Sequence, residues 1–298
     1  MSLKILQFGA SGQVGLELLR QAGVHDVTLT ALSRAEADLA EPEAAARQVR
    51  ATRPDLVILA AAYTAVDQAE SEPALAHEIN GEAPAAVAAA CAEVGAALVH
   101  FSTDYVFDGG KGAPYGEDDA TRPLNVYGAS KLSGERMALA ANPRTTILRT
   151  SWVVSAHGRN FVKTMLRLGR EGQPLRVVDD QFGRPTAAAD LAGFVLRQAA
   201  RLAGAPAGDP AFGVFHYANA GETTWRGFAQ AILETAMGAG APPVEPIATA
   251  ERPAPACRPP RGTLDTGKLE RVFGETLRPW REPLAVLIGE LQAEAHAA

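Results

Sequence analysis

The stretch that decides the fold is FGASGQVG, residues 8 to 15, close to the amino end of the chain. It follows directly on an apolar run, Ile5–Phe8, and opens a helical pattern. Gly9, Gly12 and Gly15 give a G-x-x-G-x-x-G spacing, which supplies a tight turn and lets the main chain approach a pyrophosphate without Cβ atoms in the way. Because the loop lies between the first strand and the first helix, it predicts dinucleotide binding.

Beyond this loop, short apolar runs alternate with helical patterns over the first 150 residues. This alternation predicts an α/β protein of the Rossmann type, with a doubly wound parallel sheet covered by helices on both faces. The runs with strand character are Ile5–Phe8, Val27–Leu32, Leu56–Ala60, Ala97–Phe101 and Thr145–Leu148. The helical patterns between them cover residues 13–22, 42–52, 72–94 and 126–141.

The pattern loosens after residue 150. The remaining sequence predicts helices over Asn160–Arg170 and Pro185–Arg201, a strand at 213–219, a proline-rich connector at 238–260 and two short helices at the end. We therefore expect residues 1–150 to form an NAD(P)-binding domain, to which the chain returns at about 187–217. A smaller substrate-binding region would comprise 151–186 and 218–298.

The composition narrows the classes of partner. The chain has 298 residues and a formal net charge of -6, so nucleic acid is not an expected partner. No apolar run of about 20 residues predicts a membrane span, and the amino end enters a strand pattern directly, which favours a cytoplasmic location. Cys91 and Cys257 have no metal-ligand spacing, and the spacing of other residues indicates no metal site either.

The end of the second predicted strand bears on the choice between NADPH and NADH. An acidic residue there would bond the 2′-hydroxyl of NAD, whereas an arginine accommodates a 2′-phosphate. The sequence has Ser33 and Arg34, with no carboxylate before Glu36, which favours NADPH. The alternative is that Arg34 is only a solvated loop cation.

Three side chains form a set suited to carbonyl reduction. Tyr127 and Lys131 are four residues apart at the start of a helical pattern, so they share a helix face. A nearby ammonium lowers the pKa of a tyrosine towards the range useful for proton transfer. Thr103 ends the fourth predicted strand, where its hydroxyl can bond the same carbonyl oxygen. The alternative is a surface Tyr–Lys pair without chemistry.

Longer motifs carry a resemblance to a known family. GASGQVG, AAAYTAVDQAESEP, HFSTDYVFDG, PLNVYGASKLSGE and VVDDQFGRPT occur in order, and the chain resembles the dTDP-4-dehydrorhamnose reductases, which are extended short-chain dehydrogenase/reductases, from residue 3 to about 290. The resemblance implies reduction of the C4 ketone of dTDP-4-dehydro-L-rhamnose by NADPH or NADH. Tyr127 would donate the proton, Lys131 would hold the nicotinamide ribose, and Thr103 would orient the carbonyl.

The resemblance also assigns residues that bind the substrate and the cofactor, and some of these have a purely structural alternative. Asp104 and Trp152 match positions that contact the sugar, although Asp104 could only brace its loop and Trp152 could be a core aromatic. Arg184, Arg258 or Arg261 could hold the thymidine diphosphate. The residues assigned to the cofactor, besides the three glycines, Arg34, Tyr127 and Lys131, are Gln13, Val14, Asp38, Leu39, Ala61, Ala62, Tyr63, Thr64 and Phe101.

Some members of this family form homodimers bridged by magnesium bound to glutamates. Glu17 matches one of these glutamates, but another matches Ala189, with Asp190 adjacent. The resemblance thus leaves a homodimer as a possibility, and the departure at position 189 counts against one bridged by Mg²⁺.

Two other functions stay open. The same three side chains would serve a different nucleotide-sugar dehydrogenase or a 4-epimerase, whose substrate the C-terminal region would select. The regulatory β subunit of methionine adenosyltransferase is a relative of this fold, so a non-catalytic NADP-binding subunit is the other alternative.

Overall fold

The computed structural model describes residues 2–172 and 174–297. Its strands, in chain order, are β1 (Leu3–Phe8), β2 (Val27–Leu32), β3 (Leu56–Leu59), β4 (Ala97–Thr103), β5 (Thr145–Thr150), β6 (Val153–Val154), β7 (Leu175–Val178), β8 (Phe182–Gly183), β9 (Thr186–Ala187), β10 (Gly213–His216), β11 (Thr223–Thr224) and β12 (Val244–Ile247). Its α-helices are α1 (Gln13–Ala22), α2 (Pro42–Thr52), α3 (Val66–Ala69), α4 (Pro73–His77), α5 (Ala83–Val94), α6 (Val126–Ala141), α7 (Phe161–Arg170), α8 (Ala188–Gly204), α9 (Trp225–Met237), α10 (Gly267–Phe273) and α11 (Arg281–Ala297).

Six parallel strands form the central sheet, in the order β10-β5-β4-β3-β1-β2. The chain moves from β1 to one side and then crosses to the other, so the strand order reverses between β1 and β3. In such sheets ligands bind in the crevice outside the carboxyl ends of the strands at this switch point. The predicted Rossmann-type, doubly wound parallel sheet is confirmed.

The central strands are largely buried because helices cover both faces of the sheet. In β3 all four residues, Leu56–Leu59, are buried. Ile5 and Val99 pack on the side of α8, whereas Leu6 and Leu98 pack on the side of α2 and α5. The sheet therefore gives rigid support to the loops at the carboxyl ends of its strands.

The C-terminal part of the chain has a hydrophobic core of its own. Helices α7, α9 and α11 enclose it together with β7 and β12, which pair in parallel. Between these elements the chain returns to the central sheet, where α8 packs on α1 and β10 pairs with β5. None of the helices described in residues 2–172 and 174–297 is both long and apolar enough to cross a membrane.

The helix expected over residues 72–94 is present from Pro73 to Val94, but a π-helical turn lies within it. The structure has two helices, α4 and α5, joined by a π-helical turn at Glu78–Glu82. Pro84 has no N–H to donate within the first turn of α5, and Asn80 hydrogen-bonds the main chain of Tyr63 at both N and O, at 2.9 and 3.0 Å. The widened turn thus fastens this segment to the loop after β3.

The C-terminal segments also differ from expectation. The connector at 238–260 contains strand β12, which was not expected because the segment is rich in proline. Pro246 is tolerated within it because β12 pairs with another strand on one side only. The last helix, α11, has 17 residues and is not short. The helix expected from Pro185 begins at Ala188, after the short strand β9.

Candidate active site

A cleft of about 710 Å³ opens at the carboxyl ends of β1, β3, β4 and β5. Apart from the three arginines considered for the diphosphate, all the residues that the sequence assigns to a cofactor or a substrate line it except Gly15 and Tyr63. Those that line it are Gly9, Gly12, Gln13, Val14, Arg34, Asp38, Leu39, Ala61, Ala62, Thr64, Phe101, Thr103, Asp104, Tyr127, Lys131 and Trp152.

The three glycines of the loop after β1 have different reasons to be glycine. A Cβ on Gly9, whose φ is +92°, would lie 2.7 Å from the main-chain nitrogen of Ala61, and a Cβ on Gly15 would overlap the carbonyl oxygen of Gly9. A Cβ on Gly12 would meet nothing nearer than the Gly9 oxygen at 3.7 Å. Packing therefore requires Gly9 and Gly15, whereas the space in front of Gly12 is open to the cleft.

Gly12 is also the N-cap of α1, and no side chain caps that end of the helix. The unpaired N–H groups of the first turn are the donors that bind phosphate at helix N-termini. Gln13 makes a further link: its amide donates to the Val153 carbonyl at 3.2 Å and accepts from Ser155 and Asn160, each at 3.0 Å. The glycine loop is thus held to the C-terminal part of the chain.

The rim beyond β2 carries one exposed cation. The Arg34 side chain is 76% exposed, and its Nε lies 3.1 Å from Asp38 Oδ2. A hydrogen bond from the Ala40 N–H lowers the pKa of Asp38, and Arg34 lowers it further. Glu36 turns back to accept from the Ser33 N–H and hydroxyl at 2.8 and 2.7 Å. The nearest carboxylate to Arg34 at this rim is therefore that of Asp38.

The loop after β3 sends its residues in two directions. Ala61, Ala62 and Thr64 face the cleft. The Tyr63 side chain lies away from it and donates a hydrogen bond of 2.7 Å to Glu72. Burial raises the pKa of Tyr63 to about 12, and the Glu72 carboxylate adds to the effect. The assignment of Tyr63 to the cofactor wall thus has no side-chain contact behind it.

Thr103 and Tyr127 meet because α6 begins hard against the end of β4. Asn125 caps α6 by accepting from the Gly128 N–H at 2.7 Å, and a Cβ on Gly128 would overlap the carbonyl oxygen of Tyr105. This close approach brings the Tyr127 phenol into hydrogen-bond contact with the Thr103 hydroxyl. Lys131 follows one turn later on the same face, only 2% exposed.

The expectation that the pKa of Tyr127 is lowered is wrong for this structure. Burial raises it to about 12, and the charge of Asp104 raises it as well. The hydrogen bond with Thr103 lowers it but only partly opposes them. Burial also lowers the pKa of Lys131 to about 8, against the field of Glu135. Spacing along a helix predicts that two groups are neighbours but not that their site is dry, and here desolvation dominates.

Asp104 is a buried acid next to these groups. Its Oδ1 accepts from the Thr103 hydroxyl at 3.0 Å, and its side chain also hydrogen-bonds Ser151. Burial raises its pKa to about 7 despite these bonds. A Cβ on Gly262 would overlap its carboxylate, so a segment from the C-terminal part covers it closely. Asp104 therefore lies where the two parts of the chain meet.

Trp152 faces the cleft from the residue pair that joins β5 to β6. Its φ is +46°, a backbone conformation that non-glycine residues rarely adopt. The indole stacks on Trp225 with ring centroids 3.6 Å apart, and a Cβ on Gly183 would lie 2.5 Å from it. The strained main chain and the two neighbours fix Trp152 as a flat wall of the cleft.

A second cavity, of about 680 Å³, adjoins the cleft at Trp225. Of the three arginines considered for the diphosphate, only Arg258 lines it; its guanidinium lies 2.9 Å from Asp67 and hydrogen-bonds Tyr105. Arg261 stacks on Phe182 and lies 3.5 Å from a glutamate, Glu222. Arg184 faces acidic residues behind the cleft, among them Glu222, Asp265 and Glu270.

Sequence reasoning missed several cleft residues. Tyr105 follows the assigned Asp104 directly within HFSTDYVFDG, and Trp225 ends the short stretch TTW at 223–225, which also occurs in the family that the chain resembles, so both carried a signal. Arg159 is an exposed cation of the loop between β6 and α7, and nothing in its local pattern distinguishes it.

Comparison with known proteins agrees with this geometry. A family model described as RmlD substrate binding domain matches residues 3–293. A dTDP-4-dehydrorhamnose reductase of Burkholderia thailandensis is 44% identical over 299 residues, which is 98% of this chain and 100% of the relative. The chain belongs to the dTDP-4-dehydrorhamnose reductase family. The resemblance drawn from the sequence motifs is thereby confirmed, and with it membership of a family of oxidoreductases.

Solved structures of the family share the fold. A dTDP-4-dehydrorhamnose reductase of Clostridium acetobutylicum has a TM-score of 0.91 and 38% identity, with 97% of this chain and 100% of that chain covered. The enzyme of Bacillus anthracis, solved in complex with NADP, has a TM-score of 0.89 and 35% identity over the same shares of the two chains.

Proposed function

We propose that the protein reduces the C4 ketone of dTDP-4-dehydro-L-rhamnose to give dTDP-L-rhamnose, with NADPH as the preferred reductant. The observation that carries the proposal is the meeting of Thr103, Tyr127 and Lys131 in one cleft with the glycine loop at the switch point of the sheet. A hydroxyl, a phenol and an ammonium are the groups that orient a carbonyl oxygen, protonate it and stabilise the phenolate that remains.

Tyr127 gives its phenolic proton to the ketone oxygen as hydride reaches C4, so that the ketone becomes an alcohol. A pKa of about 12 keeps the phenol protonated at neutral pH, which is the form that reduction needs. Thr103, already hydrogen-bonded to the phenol, orients the carbonyl oxygen. Lys131 then stabilises the Tyr127 phenolate until a proton returns from solvent. The bound nicotinamide supplies the hydride.

The sheet side of the cleft suits a dinucleotide. The uncapped first turn of α1 and the open space at Gly12 would receive the pyrophosphate, and Asp38 and Leu39 would lie at the adenosine end. Arg34, largely exposed at the rim of the cleft, favours a 2′-phosphate and therefore NADPH. NADH would be the weaker reductant.

The C-terminal side suits a nucleotide sugar. Asp104 and the Trp152 ring would contact the deoxysugar beside Tyr127. The adjoining cavity, reached past Trp225, would take the thymidine diphosphate, with Arg258 as its cation. In this division residues 1–150, with the return at 187–217, form the cofactor-binding domain, which also contributes Thr103 and Asp104 to the sugar, and the remaining segments bind the rest of the substrate.

The residues at the expected magnesium position do not suit the metal. Glu17 is 2% exposed; its Oε2 accepts from Arg20 Nε and Nη2 at 2.8 and 2.6 Å, and His157 lies 3.2 Å from its Oε1. Asp190 is paired with Arg278, and position 189 is alanine. No cluster of three or more potential ligands for a metal occurs within the residues described. The homodimer and the cytoplasmic location stay predictions.

The test is NADPH oxidation followed at 340 nm with enzymatically prepared dTDP-4-dehydro-L-rhamnose, with NADH alongside and the product identified by NMR. Formation of dTDP-L-rhamnose is the expected result. Turnover only with another keto sugar would favour a different nucleotide-sugar dehydrogenase, and a product inverted at C4 without net cofactor consumption would indicate an epimerase. NADPH binding with no turnover on any keto sugar would indicate a regulatory subunit.

A further inference from the structure

Behind the cleft, a row of buried polar side chains crosses the face of the sheet that α6 covers. Ser102 on β4, Arg149 on β5 and His216 on β10 are in register on three neighbouring strands. Residues in register on parallel strands point to the same face, so the three side chains lie side by side. They are 4%, 4% and 0% exposed. The proposed reaction, as described, uses none of them.

Glu135 projects from α6 into this row. Its Oε1 accepts from the Ser102 hydroxyl at 2.5 Å and from Arg149 Nε at 2.9 Å, and its Oε2 accepts from Arg149 Nη2 at 2.7 Å. The glutamate is 2% exposed. A two-point Arg–carboxylate pair completed by a hydroxyl is the arrangement that makes so buried a charge tolerable. The carboxylate is therefore held in one position.

Lys131 lies one helical turn before Glu135 on the same face of α6, and its ammonium is as deeply buried. Burial disfavours the charged amine, and the field of Glu135 opposes that effect. The reaction needs the ammonium rather than the amine, because only the charged form stabilises a phenolate. A fixed negative charge beside Lys131 therefore favours the protonated form that the reaction needs.

The other groups on this side of α6 do not supply such a charge. His100 on β4 is wholly buried, and burial together with Lys131 holds its pKa well below the usual range, so it is neutral. Arg149 is a cation, so its charge opposes the field of Glu135 at Lys131, and His216 is neutral because burial, with the charge of Arg149, lowers its pKa to about 3. The turn after β4 packs on α6 with Asp104 and Tyr105, which act on Tyr127.

The segment that covers the other side of α6 has its own partners or faces solvent. Asp67 pairs with Arg258, Glu70 accepts from the Val126 N–H at the start of α6, and Glu72 accepts from Tyr63. The remaining titratable residues of that segment lie at or near the surface and are His77, Glu78 and Glu82. Among the residues described, Glu135 is thus the carboxylate that acts on Lys131.

We propose that Glu135 is the buried counter-charge of Lys131 and a positioning residue for the reaction. Ser102 and Arg149 hold its carboxylate in place. The inference rests on the proposed function for the role of Lys131 in the reaction, but the effect of Glu135 on Lys131 can be measured independently of that function. Lys131 lines the cofactor cleft, so its charge also affects the binding of anionic NADPH, which can be measured without turnover.

The test compares the wild type with Glu135→Gln/Arg149→Met, which removes both buried charges together and so leaves neither unpaired. NADPH affinity, from fluorescence titration, and kcat/KM are measured from pH 6 to pH 9.5. In the wild type we expect both to decline as pH rises through about 8, where Lys131 loses its proton. In the double variant the decline should move to lower pH, with about a five-fold loss at pH 8 for a movement of one unit and recovery near pH 6.

Two further variants separate charge from shape. Glu135→Asp keeps the negative charge and should keep the wild-type pH profile, whereas Arg136→Gln changes an exposed charge on the same helix and should change nothing. An unmoved profile in a folded double variant would overturn the inference, as would an equal movement in Glu135→Asp. A moved binding profile in a protein without turnover on any keto sugar would retain it and reject the proposed function.

Discussion

The two walls of the cleft are built in different ways. The wall on the sheet side uses main-chain positions at the ends of neighbouring strands: the loop after β1 fits against the loop after β3 through Gly9 and Ala61. The wall on the C-terminal side uses side chains from separate segments, and its centre is the stack of Trp152 on Trp225. The first is a shape fixed by the backbone, whereas the second is a shape fixed by packing.

This difference has energetic consequences. The sheet wall rests on strands buried on both faces, so a change there strains the fold itself. The stack of Trp152 on Trp225 contributes about 0.5–1.5 kcal/mol beyond the area it buries. The left-handed main chain at Trp152 costs on the order of 1–3 kcal/mol. We therefore expect changes in the sheet wall to affect cofactor binding or folding, and changes in the other wall to affect the sugar substrate.

The largest effect, on kcat, should come from Tyr127→Phe, which changes a residue between the two walls of the cleft. Loss of the proton donor should lower kcat by about 10²–10⁴-fold, while the dissociation constant of NADPH stays within about two-fold, because the dinucleotide wall is intact. Stopped-flow turnover and fluorescence titration measure the two quantities. A variant that retains the wild-type rate would show that another group donates the proton.

The glycine loop offers a matched pair, Gly15→Ala and Gly12→Ala. The first forces a Cβ against the Gly9 carbonyl and should lower the free energy of unfolding by about 1–3 kcal/mol. The second has room within the protein and should keep the wild-type stability but weaken NADPH about ten-fold, because the methyl group occupies the space of the pyrophosphate. Urea unfolding and cofactor titration check both; equal behaviour of the two variants would contradict the distinction.

On the other wall, Trp225→Leu should act on the substrate alone. Trp152 loses its stacking partner, so we expect the KM for the nucleotide sugar to rise about ten-fold, with NADPH affinity unchanged. Trp225→Phe keeps an aromatic ring at the position and should recover most of the loss. If NADPH affinity fell as far as substrate affinity, the two walls would not be separable.

The smallest effect should come from Arg34→Asp at the exposed rim. The arginine is largely solvated, so its loss should reduce the preference for NADPH over NADH only about three-fold and leave kcat with saturating NADPH unchanged. The ratio of kcat/KM for the two cofactors is the measurement. An unchanged ratio would remove the argument for NADPH.

The sequence predicted the sheet wall better than the other wall because the signals there are local. The glycine spacing and the i, i+4 pair of Tyr127 and Lys131 are visible within single elements. Burial of Tyr127 depends on distant segments, so the direction of its pKa shift could not be read from spacing. Strand β12 pairs with β7 far away along the chain, Val244 opposite Leu175, and local composition conceals such a pairing.

The central claim is tested most directly by the fate of the hydride. Wild-type protein is incubated with dTDP-4-dehydro-L-rhamnose and NADPH deuterated at C4 of the nicotinamide, and the product is examined by ¹H and ²H NMR. The account predicts dTDP-L-rhamnose that carries deuterium at C4 of the sugar, and about 10²–10⁴-fold slower formation of the same labelled product by Tyr127→Phe. Deuterium at another sugar carbon, or a bound cofactor that is never consumed, would contradict it.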